Sequence, residues 1–355
     1  MRKTDLIIIG AGLTGLTLQY FLRNAGLKIT VLEARDRLGG RIHTAATPSG
    51  VSIEMGATWL GGKHTRLNKL LRDLEIPIFP QELGNHAFYE WISTSPPQLV
   101  ELPKNEEPSY RILGGTYMLI NKLAGFPGPD QLYLGTEVQQ IALNGDRIHV
   151  TTDREMFEAD LVISTLPPYL LHRKVRIDPG LPPELTRVME QTHTWMGESI
   201  KFGLGYDKPF WREANSSGTV FSNVGPVSEM YDHSGHEQDS FALKGFFNPA
   251  YHALDKAERL GMILSQLRKY YGNVVDNYTT YQETAWAREK YTFAPYTSQV
   301  LPHQNNGHEA YQKPYLDGRL YIAGSETANL YPGYMEGAVR SAEWVYQQVM
   351  DRIQN

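Results

Sequence analysis

Residues 6–33 read LIIIGAGLTGLTLQYFLRNAGLKITVLE, and this stretch decides the fold. Leu6–Ile9 is the continuous apolar run expected of a parallel strand that is buried on both faces. The next residues have the spacing GxGxxG. In that motif Gly10 permits a tight turn, Gly12 lets a pyrophosphate approach the backbone, and Gly15 lets a helix lie close to the strand. The pattern predicts a strand, a turn and a helix that bind a dinucleotide.

The next apolar run, residues 28–32, predicts a second strand that ends at Glu33. An acidic residue at this point accepts hydrogen bonds from an adenosine ribose and argues against a 2′-phosphate. Gly39 and Gly40 then offer a second close approach to the diphosphate, and Arg41 offers a cation beside it. This βαβ unit followed by ExxxxxGGR resembles the fingerprint of FAD-binding flavoproteins.

Later segments extend the resemblance over most of the chain. Together they resemble the flavin-containing amine oxidases, particularly the monoamine oxidase branch. The chain is shorter than typical members, so we expect the segments on the substrate side to be trimmed. The matching segments are EMGATW at 54–59, ADLVISTLPP at 159–168, SIKFGLGYDKPFW at 199–211, AGSETA at 323–328 and GYMEGAV at 333–339.

The resemblance implies FAD as the cofactor. The chain contains no cysteine, and Pro295 stands where covalent members place a Cys, so we expect FAD to be held noncovalently. The residues implied at the cofactor are Gly10, Gly12, Gly15, Glu33, Ala34, Arg35, Gly39, Gly40, Arg41, Gly56, Ala57, Thr58, Trp59, Val138, Gly324, Glu326, Tyr334 and Met335.

Lys201 is the first candidate catalytic residue. By strand alternation it shares a face with Gly203 and Gly205, which leaves room for something large. The resemblance implies that Lys201 holds, through a water, the N5 edge of the flavin, where the hydride arrives and where the reduced flavin meets O2.

Tyr296 and Tyr334 are the other two candidates. The resemblance implies that their rings face each other over the flavin and guide the amine nitrogen along π-faces, in a pocket of rings rather than carboxylates. If the last helix begins near Tyr334, its free N–H groups face the N1–C2=O edge of the flavin, where negative charge accumulates on reduction.

The fold class implied is α/β with an α+β second domain, that is, a Rossmann-like FAD-binding domain and a smaller mixed-sheet substrate domain. The FAD-binding domain is discontinuous because nucleotide-type segments flank stretches with other patterning. We assign residues 1–76, 111–180 and 287–355 to the FAD-binding domain, and residues 77–110 and 181–286 to the substrate domain.

Composition excludes several other classes. Lys plus Arg number 34 against 39 Asp plus Glu, a net charge of −5, which disfavours nucleic-acid and anionic-membrane partners. No apolar stretch is long enough to span a membrane, and three glycines break the run at 6–22, so we expect a soluble, cytoplasmic protein. The oligomeric state stays open, with a homodimer as one option.

No metal site is expected. Ser and Gly separate His233 from His236, which predicts a solvated loop. His303 and His308 flank a turn sequence and have no spacing that would bring them together.

The function implied is oxidation of a small amine to an imine, which hydrolyses to aldehyde and ammonia while O2 becomes hydrogen peroxide. An L-amino-acid oxidase is the alternative within the class, and Arg66 keeps it open. A desaturase-like flavoprotein and a flavin-binding protein without turnover are further alternatives.

The cofactor assignment predicts that the purified protein is yellow and releases free FAD on treatment with acid or heat. Glu33→Gln should weaken FAD retention by about 1.5–3 kcal/mol, because a charge-assisted contact to the ribose is lost. Equilibrium dialysis of the parent and the variant measures this difference. Flavin that stays on the denatured protein would contradict the noncovalent assignment.

Overall fold

The computed structural model describes residues 1–47, 50, 52–104, 107–128 and 130–354. Its strands, in chain order, are β1 Arg2–Lys3, β2 Leu6–Ile9, β3 Ile29–Leu32, β4 Thr44–Ala46, β5 Ser52–Glu54, β6 Leu60–Gly61, β7 Ile78–Pro80, β8 His86–Glu90, β9 Gln98–Glu101, β10 Ser109–Ile112, β11 Leu132–Tyr133, β12 Val138–Asn144, β13 Arg147–Thr152, β14 Met156–Ala159, β15 Leu161–Ser164, β16 Arg176–Asp178, β17 Ile200–Tyr206, β18 Val220–Ser222, β19 Val227–Asp232, β20 Phe241–Phe247, β21 Thr280–Ala285 and β22 Leu320–Ile322. Its α-helices are α1 Leu13–Leu22, α2 Thr65–Asp73, α3 Tyr117–Ala124, α4 Pro168–Lys174, α5 Pro183–Glu190, α6 Phe210–Glu213, α7 Lys256–Tyr271 and α8 Met335–Gln354.

The nucleotide domain is built on a parallel sheet with the order β11-β3-β2-β15-β22. Every residue of β2 and β3 is buried, as the unbroken apolar runs predict. The helices α1 and α8 cover one face, where Leu16 and Val345 share a core cluster. A second sheet, β1-β14-β13-β12-β16, covers the other face and packs Val150 against Ile7.

The turn between β2 and α1 has no space for a side chain at Gly15. A Cβ atom there would lie 2.0 Å from the carbonyl oxygen of Gly10, and 3.1 Å from Cγ2 of Ile8. The third glycine of the motif therefore sets how closely α1 approaches β2, as the sequence predicts.

The substrate domain is a seven-stranded mixed sheet with the order β21-β17-β20-β19-β18-β8-β9. The helix α7 packs on it through Leu267, which joins a core with Phe202. This helix begins with a capping box, in which Asp255 and Glu258 each accept a hydrogen bond from the backbone N–H of the other. Gly272 ends it.

The predicted domain boundary at residue 181 is too early. The helix α5 packs on the nucleotide domain, because its Leu185 and Met189 belong to the same core cluster as Ile7. The chain enters the substrate sheet only at β17. In the predicted segment 77–110, β8 and β9 join that sheet, while residues 105 and 106 lie outside the described residues.

The apolar residues 6–22 form β2 and α1 of the nucleotide domain. Among the described residues, no helix is both long enough and apolar enough to cross a bilayer.

The close contact at Gly15 predicts that Gly15→Ala lowers the free energy of unfolding by roughly 1–3 kcal/mol through overpacking. Gly261→Ala is the matched control, because a Cβ at this exposed position in α7 meets no atom within 4 Å. The control should gain about 0.5–1 kcal/mol, since alanine loses less backbone entropy in a helix. Urea unfolding of both variants measures whether each change lowers or raises the free energy of unfolding. A Gly15→Ala protein as stable as the parent would disprove the packing argument.

Candidate active site

A cavity of about 1230 Å³ runs between the two domains. It begins at the glycine turn after β2, passes Lys201 and Phe246 in the substrate sheet, and reaches Tyr334 just before α8. Pockets for drug-sized ligands measure about 300–1,000 Å³, so this cavity has room for a dinucleotide and a small substrate together.

Glu33 organises the dinucleotide end of the cavity. Its Oε2 accepts a hydrogen bond from the Ala11 N–H at 2.9 Å, and its Oε1 accepts one from the Arg35 N–H at 2.9 Å. No side chain caps the start of α1 at Gly12, so the first N–H groups of the helix face the cavity. A buried carboxylate beside free N–H groups suits a ribose next to a diphosphate.

Gly39 and Gly40 supply the second close approach to this end. The backbone of Gly39 pairs with that of Gly12 in an isolated parallel bridge, and both Gly39 and Gly40 have positive φ angles, of 95° and 56°. A Cβ on Gly39 would lie 2.7 Å from the Ile42 carbonyl oxygen. The two glycine motifs therefore meet at the cavity wall, as the sequence predicts.

Buried side chains fix the segment 54–59 along the cavity. Lys201 Nζ donates to the Gly56 carbonyl at 2.7 Å, and Trp286 Nε1 donates to the Met55 carbonyl at 2.8 Å. Because these contacts hold the backbone, Ala57, Thr58 and Trp59 line the cavity, with Gly56 beside them.

Lys201 is buried in β17 and lines the cavity. Burial lowers its pKa to about 8, and Glu54 offsets part of this effect. Its Nζ also lies 4.9 Å from the centre of the Phe246 ring, on the neighbouring strand. Lys201 can therefore exchange a proton near neutral pH at the cavity surface.

The space that the sequence predicts above Gly203 is not open. A Cβ on Gly203 would lie 2.3 Å from Cγ2 of Ile53, so β5 of the nucleotide domain packs directly on this glycine. The prediction was wrong because strand alternation identifies a face but not the element that covers it. Gly203 serves domain packing, and Lys201 reaches the cavity beside it.

Lys244 is a second buried lysine that the sequence analysis missed. It lies opposite Gly203 on β20, donates to Thr58 Oγ1, and places Nζ 4.5 Å from the centre of the Trp59 ring. Burial and the nearby Lys201 charge lower its pKa well below the ordinary value. A single lysine inside the apolar strand FALKGFF was the signal that could have found it.

Tyr296 does not take the position that the resemblance implies. Its ring packs on Tyr169 at 4.7 Å, its hydroxyl accepts from the Thr194 N–H at 2.8 Å, and it is absent from the cavity lining. His193 stacks on its other side at 6.4 Å. The spacing around Tyr296 matched the family, but the ring is used here to fix the loop that carries Thr194.

Tyr334 lines the cavity, and its aromatic neighbours are Trp195, His303 and His64. The Trp195 ring centre lies 5.5 Å from that of Tyr334 and 3.9 Å from that of His303. Trp195 also lines the cavity. It lies in a loop, where no periodicity marks an aromatic residue as functional, so sequence reasoning missed it. The helix α8 begins one residue after Tyr334, as predicted.

Arg41 forms a bidentate pair with Glu326 rather than standing free beside the diphosphate. The two guanidinium nitrogens lie 2.5 and 2.8 Å from the carboxylate oxygens of Glu326, and a third bond reaches the Trp195 carbonyl at 3.0 Å. Glu326 is fully buried, and although burial alone would raise its pKa, Arg41 holds that pKa below the ordinary value. Arg41 still lines the cavity.

Glu229, an exposed residue of β19, is one of the carboxylates in the cavity wall. The others are Glu33, Glu107, Glu137 and Glu198. Glu229 pairs with Phe246 on β20, which pairs with Lys201 on β17, so the three side chains form a row on one face of the sheet. With strands about 4.8 Å apart, the Cα atoms of Lys201 and Glu229 lie about 10 Å apart. The cavity wall therefore contains carboxylates as well as rings, and the position of Glu229 depends on the register of β19, which could not be read from its sequence.

His233 does not lie in a solvated loop. It is buried, and its Nε2 accepts from the Glu54 N–H at 3.2 Å while its Nδ1 lies 3.0 Å from Arg111 Nη1. The loop prediction was wrong because Asp232, His233 and Ser234 are all enclosed against the nucleotide domain. In the part of the chain that the structure describes, no three His, Asp or Glu side chains are placed to hold a metal ion.

The structure brings most of the predicted cofactor residues to this one cavity. Gly15, Gly324 and Glu326 support its wall from behind, and Tyr296 lies outside it. The glycines at 10–12 and 39–40, the start of α1 and the Glu33 carboxylate fit the adenosine and diphosphate of FAD. The predicted residues that line the cavity are Gly10, Gly12, Glu33, Ala34, Arg35, Gly39, Gly40, Arg41, Gly56, Ala57, Thr58, Trp59, Val138, Lys201, Tyr334 and Met335.

Comparisons with known proteins agree with this geometry. Residues 13–94 and 88–349 match the family model described as flavin containing amine oxidoreductase. A relative from Dictyostelium discoideum, named "Probable flavin-containing monoamine oxidase A", is 25% identical over 460 aligned positions that cover 99% of this chain and 98% of the relative. Since this chain has 355 residues, the relative contains segments that this chain lacks.

Two further proteins are similar to this chain over nearly its whole length. An L-amino acid dehydrogenase from Synechocystis sp. is 24% identical over 96% of this chain and 93% of its own length. The solved structure of a wild-type putrescine oxidase bound to putrescine superposes with a TM-score of 0.85 at 22% identity, covering 99% of each chain. This likeness establishes the shared fold.

The Arg41–Glu326 pair predicts that Arg41→Met lowers the free energy of unfolding by about 3–5 kcal/mol at neutral pH, because it leaves a buried carboxylate without its cation. The pair stabilises the fold above the ordinary carboxyl pKa, and this contribution is lost as pH falls through the lowered pKa of Glu326. The difference between parent and variant should therefore shrink in acid. Urea unfolding at neutral and acidic pH, with Arg41→Lys as the charge-conserving control, tests this; an equal difference at both pH values would contradict it.

Proposed function

This chain belongs to the family of flavin containing amine oxidoreductases and is a flavin-dependent amine oxidase. We propose that it oxidises an amine to an imine, at the carbon beside the nitrogen, with O2 as the electron acceptor. In this proposal the substrate loses a hydride from carbon and a proton from nitrogen. O2 gains the two electrons and two protons and leaves as hydrogen peroxide, and water converts the imine to aldehyde and ammonia. The observation that carries the proposal is the buried Lys201 in the wall of a cavity that also holds the dinucleotide motifs.

FAD, when bound, supplies the two-electron acceptor for the hydride and passes the electrons to O2. The residues that would hold it are Glu33 at the ribose and the glycines at 10–12 and 39–40 at the diphosphate. The segment 56–59, fixed by Lys201, would lie along its ring system. The start of α8 adds a positive helix end at the same wall.

The amine must react as the neutral form, because only a free nitrogen lone pair stabilises the cation left when the hydride departs. Trp195 and Tyr334 line the cavity and would hold an ammonium group through their π-faces, whereas Phe246 and Trp59 already have Lys201 and Lys244 against their rings. This attraction is modest, so the nitrogen can still lose its proton in the cavity.

An amino-acid substrate is less well supported. A carboxylate needs an arginine in the cavity, but Arg66 pairs with Glu343 on α8 at 2.9 Å and is not part of the lining. Of the arginines in the lining, Arg41 is paired with Glu326 and Arg35 donates to Thr292. We therefore favour an amine without a carboxylate.

We further propose that the preferred substrate is a short aliphatic diamine. Glu229 offers its carboxylate about two strand spacings from Lys201, with Phe246 between them. The hydroxyl of Tyr231 donates to Glu229 at 2.7 Å and fixes it, while the Tyr231 ring contacts Trp59 at 5.2 Å. One amine could react beside Lys201 while the second, still protonated, binds Glu229. The putrescine bound by a protein of the same fold is a compound of this class.

The diamine assignment predicts that the parent enzyme has a higher kcat/KM for putrescine than for butylamine, which has the same carbon chain and lacks the second amine. Glu229→Gln should reduce kcat/KM for putrescine about two- to fivefold, because an exposed ion pair contributes about 0.2–1 kcal/mol, and should change kcat/KM for butylamine little. A peroxide-release assay measures both substrates. If Glu198→Gln removes the preference and Glu229→Gln does not, the second amine binds Glu198, another carboxylate in the cavity wall, and the assignment to Glu229 is wrong. If neither substrate releases peroxide, the proposal of O2 as the electron acceptor is rejected.

The role of Lys201 predicts that Lys201→Met retains FAD but slows reaction with O2 at least about tenfold, roughly 1.4 kcal/mol of barrier, because a positive charge beside O2 stabilises the electrons it gains. Since the pKa of Lys201 is about 8, the parent rate should fall as pH rises through that value, and the variant rate should not. Stopped-flow mixing of the photoreduced enzymes with oxygenated buffer gives the rates. Lys201→Arg keeps the charge and should recover part of the rate, whereas an unchanged rate in Lys201→Met would remove Lys201 from this step.

A further inference from the structure

Lys244 is a buried lysine to which the proposed function assigns no role. It lies on β20, is fully buried, and is not part of the lining of the amine cavity. Among the described residues its Nζ has one hydrogen-bond partner, Thr58 Oγ1, and no ion-pair partner. Burial of an amine is unfavourable unless the group is hydrogen-bonded, so the contact with Thr58 is what makes a lysine tolerable in this apolar strand.

Lys244 and Lys201 are diagonal neighbours on one face of the substrate sheet. Lys201 pairs with Phe246 and Lys244 pairs with Gly203, so each lysine lies two residues from the partner of the other. Diagonal neighbours in an antiparallel pair lie about 7–8 Å apart. The strand β5 covers the same face, because Ile53 packs on Gly203. Both lysines therefore face the segment of the nucleotide domain that continues from β5.

Hydrogen bonds through this segment link the two amines. Lys244 donates to Thr58 Oγ1, and the Thr58 hydroxyl donates to the Gly56 carbonyl at 3.2 Å. Lys201 donates to the same carbonyl at 2.7 Å. A carbonyl oxygen has two lone pairs, so Thr58 and Lys201 together occupy both of them.

Lys244 sets the direction of the Thr58 hydroxyl. A hydroxyl has a single hydrogen and rotates to suit its partners, so an oxygen that accepts from Lys244 directs its hydrogen to Gly56. Hydrogen bonds in a chain also polarise one another, which strengthens the bond from Thr58 to Gly56. Without Lys244 the hydroxyl is free to turn, and the carbonyl beside Lys201 is held less firmly.

The contact depends on donation rather than on charge. Burial and the charge of Lys201 lower the pKa of Lys244 well below its ordinary value, and Glu54 offsets part of this effect. This shift favours the uncharged amine, which still carries N–H donors. An uncharged donor of similar size should therefore replace Lys244, and an apolar side chain should not.

We propose that Lys244 is a positioning residue for Lys201, acting through the Thr58 hydroxyl and the Gly56 carbonyl. It holds the carbonyl to which Lys201 donates, and in this way it places the Lys201 ammonium group at the cavity wall. The proposal rests on the role of Lys201 in the reaction with O2. The effect of Lys244 on that reaction should therefore require Lys201.

Reaction of the photoreduced, FAD-loaded enzymes with O2 in a stopped-flow instrument tests the proposal. Lys244→Met should slow this reaction about two- to tenfold, the range for one hydrogen bond, and Lys244→Gln, which keeps an uncharged donor, should recover most of the rate. In the Lys201→Met background, Lys244→Met should have no further effect, because the residue that it positions is absent. Lys269→Met is the matched control: this lysine of α7 pairs with Glu90 at 3.0 Å, so its loss should leave the rate unchanged.

A second measurement does not depend on activity. Trace acetylation of the FAD-loaded enzyme with acetic anhydride, followed by peptide mass spectrometry, reports how free the Lys201 amine is to react. Lys201 should be acetylated at least about twofold faster in Lys244→Met than in the parent, because its acceptor is held less firmly, and at the parent rate in Lys244→Gln and Lys269→Met. Thr58→Val removes the hydroxyl and should reproduce the effect of Lys244→Met, so it decides the test if Lys244→Met does not fold.

Equal slowing by Lys244→Met with and without Lys201 would show that Lys244 supports the fold rather than Lys201, and would overturn the proposal. Failure of Lys244→Gln to recover the rate, or unchanged acetylation of Lys201 in Lys244→Met, would have the same consequence. If Lys201→Met alone leaves the reaction with O2 unchanged, the role proposed for Lys201 is wrong, and acetylation of Lys201 then decides whether Lys244 positions it.

Discussion

The bidentate pair between Arg41 and Glu326 is the interaction on which the walls of the site depend. It joins the loop after the βαβ unit to the segment that leads into α8, although the two lie far apart in the sequence. The same guanidinium holds the Trp195 carbonyl, and Glu326 accepts from the Trp195 N–H at 3.1 Å. Three chain segments that face the cavity are thus positioned by one buried ion pair, whose low-dielectric setting makes its geometry strict.

One face of the substrate sheet carries the side chains to which we assign roles in the reaction and in substrate binding. Gly203 has no side chain, which lets Ile53 pack on the sheet, and its cross-strand partner Lys244 reaches past it to Thr58. The adjacent pair, Lys201 and Phe246, faces the cavity, and Glu229 extends that row by one more strand. Domain packing and substrate contact therefore alternate along the same strands, because residues two apart share a face.

Local patterns in the sequence predicted the elements well. The βαβ unit depends mainly on contacts within a few residues, and its two predicted strands and the helix between them are present. Features that depend on distant contacts could not be predicted: Tyr296 matches the family spacing but packs on Tyr169, and His233 looks solvated but is buried against Glu54. The position of Glu229 beside Phe246 required the strand register, which the sequence does not encode locally.

The return of the chain to its nucleotide sheet has a consequence for biosynthesis. β2 and α1 are synthesised long before the edge strand β22, which begins at Leu320, and the covering helix α8, which begins at Met335. Until α8 is made, the core cluster that contains Leu16 of α1 lacks the α8 residues, such as Val345, that complete it. The nascent chain therefore carries an unfinished dinucleotide domain until α8 has been made, and exposed apolar surface of this kind is prone to aggregation.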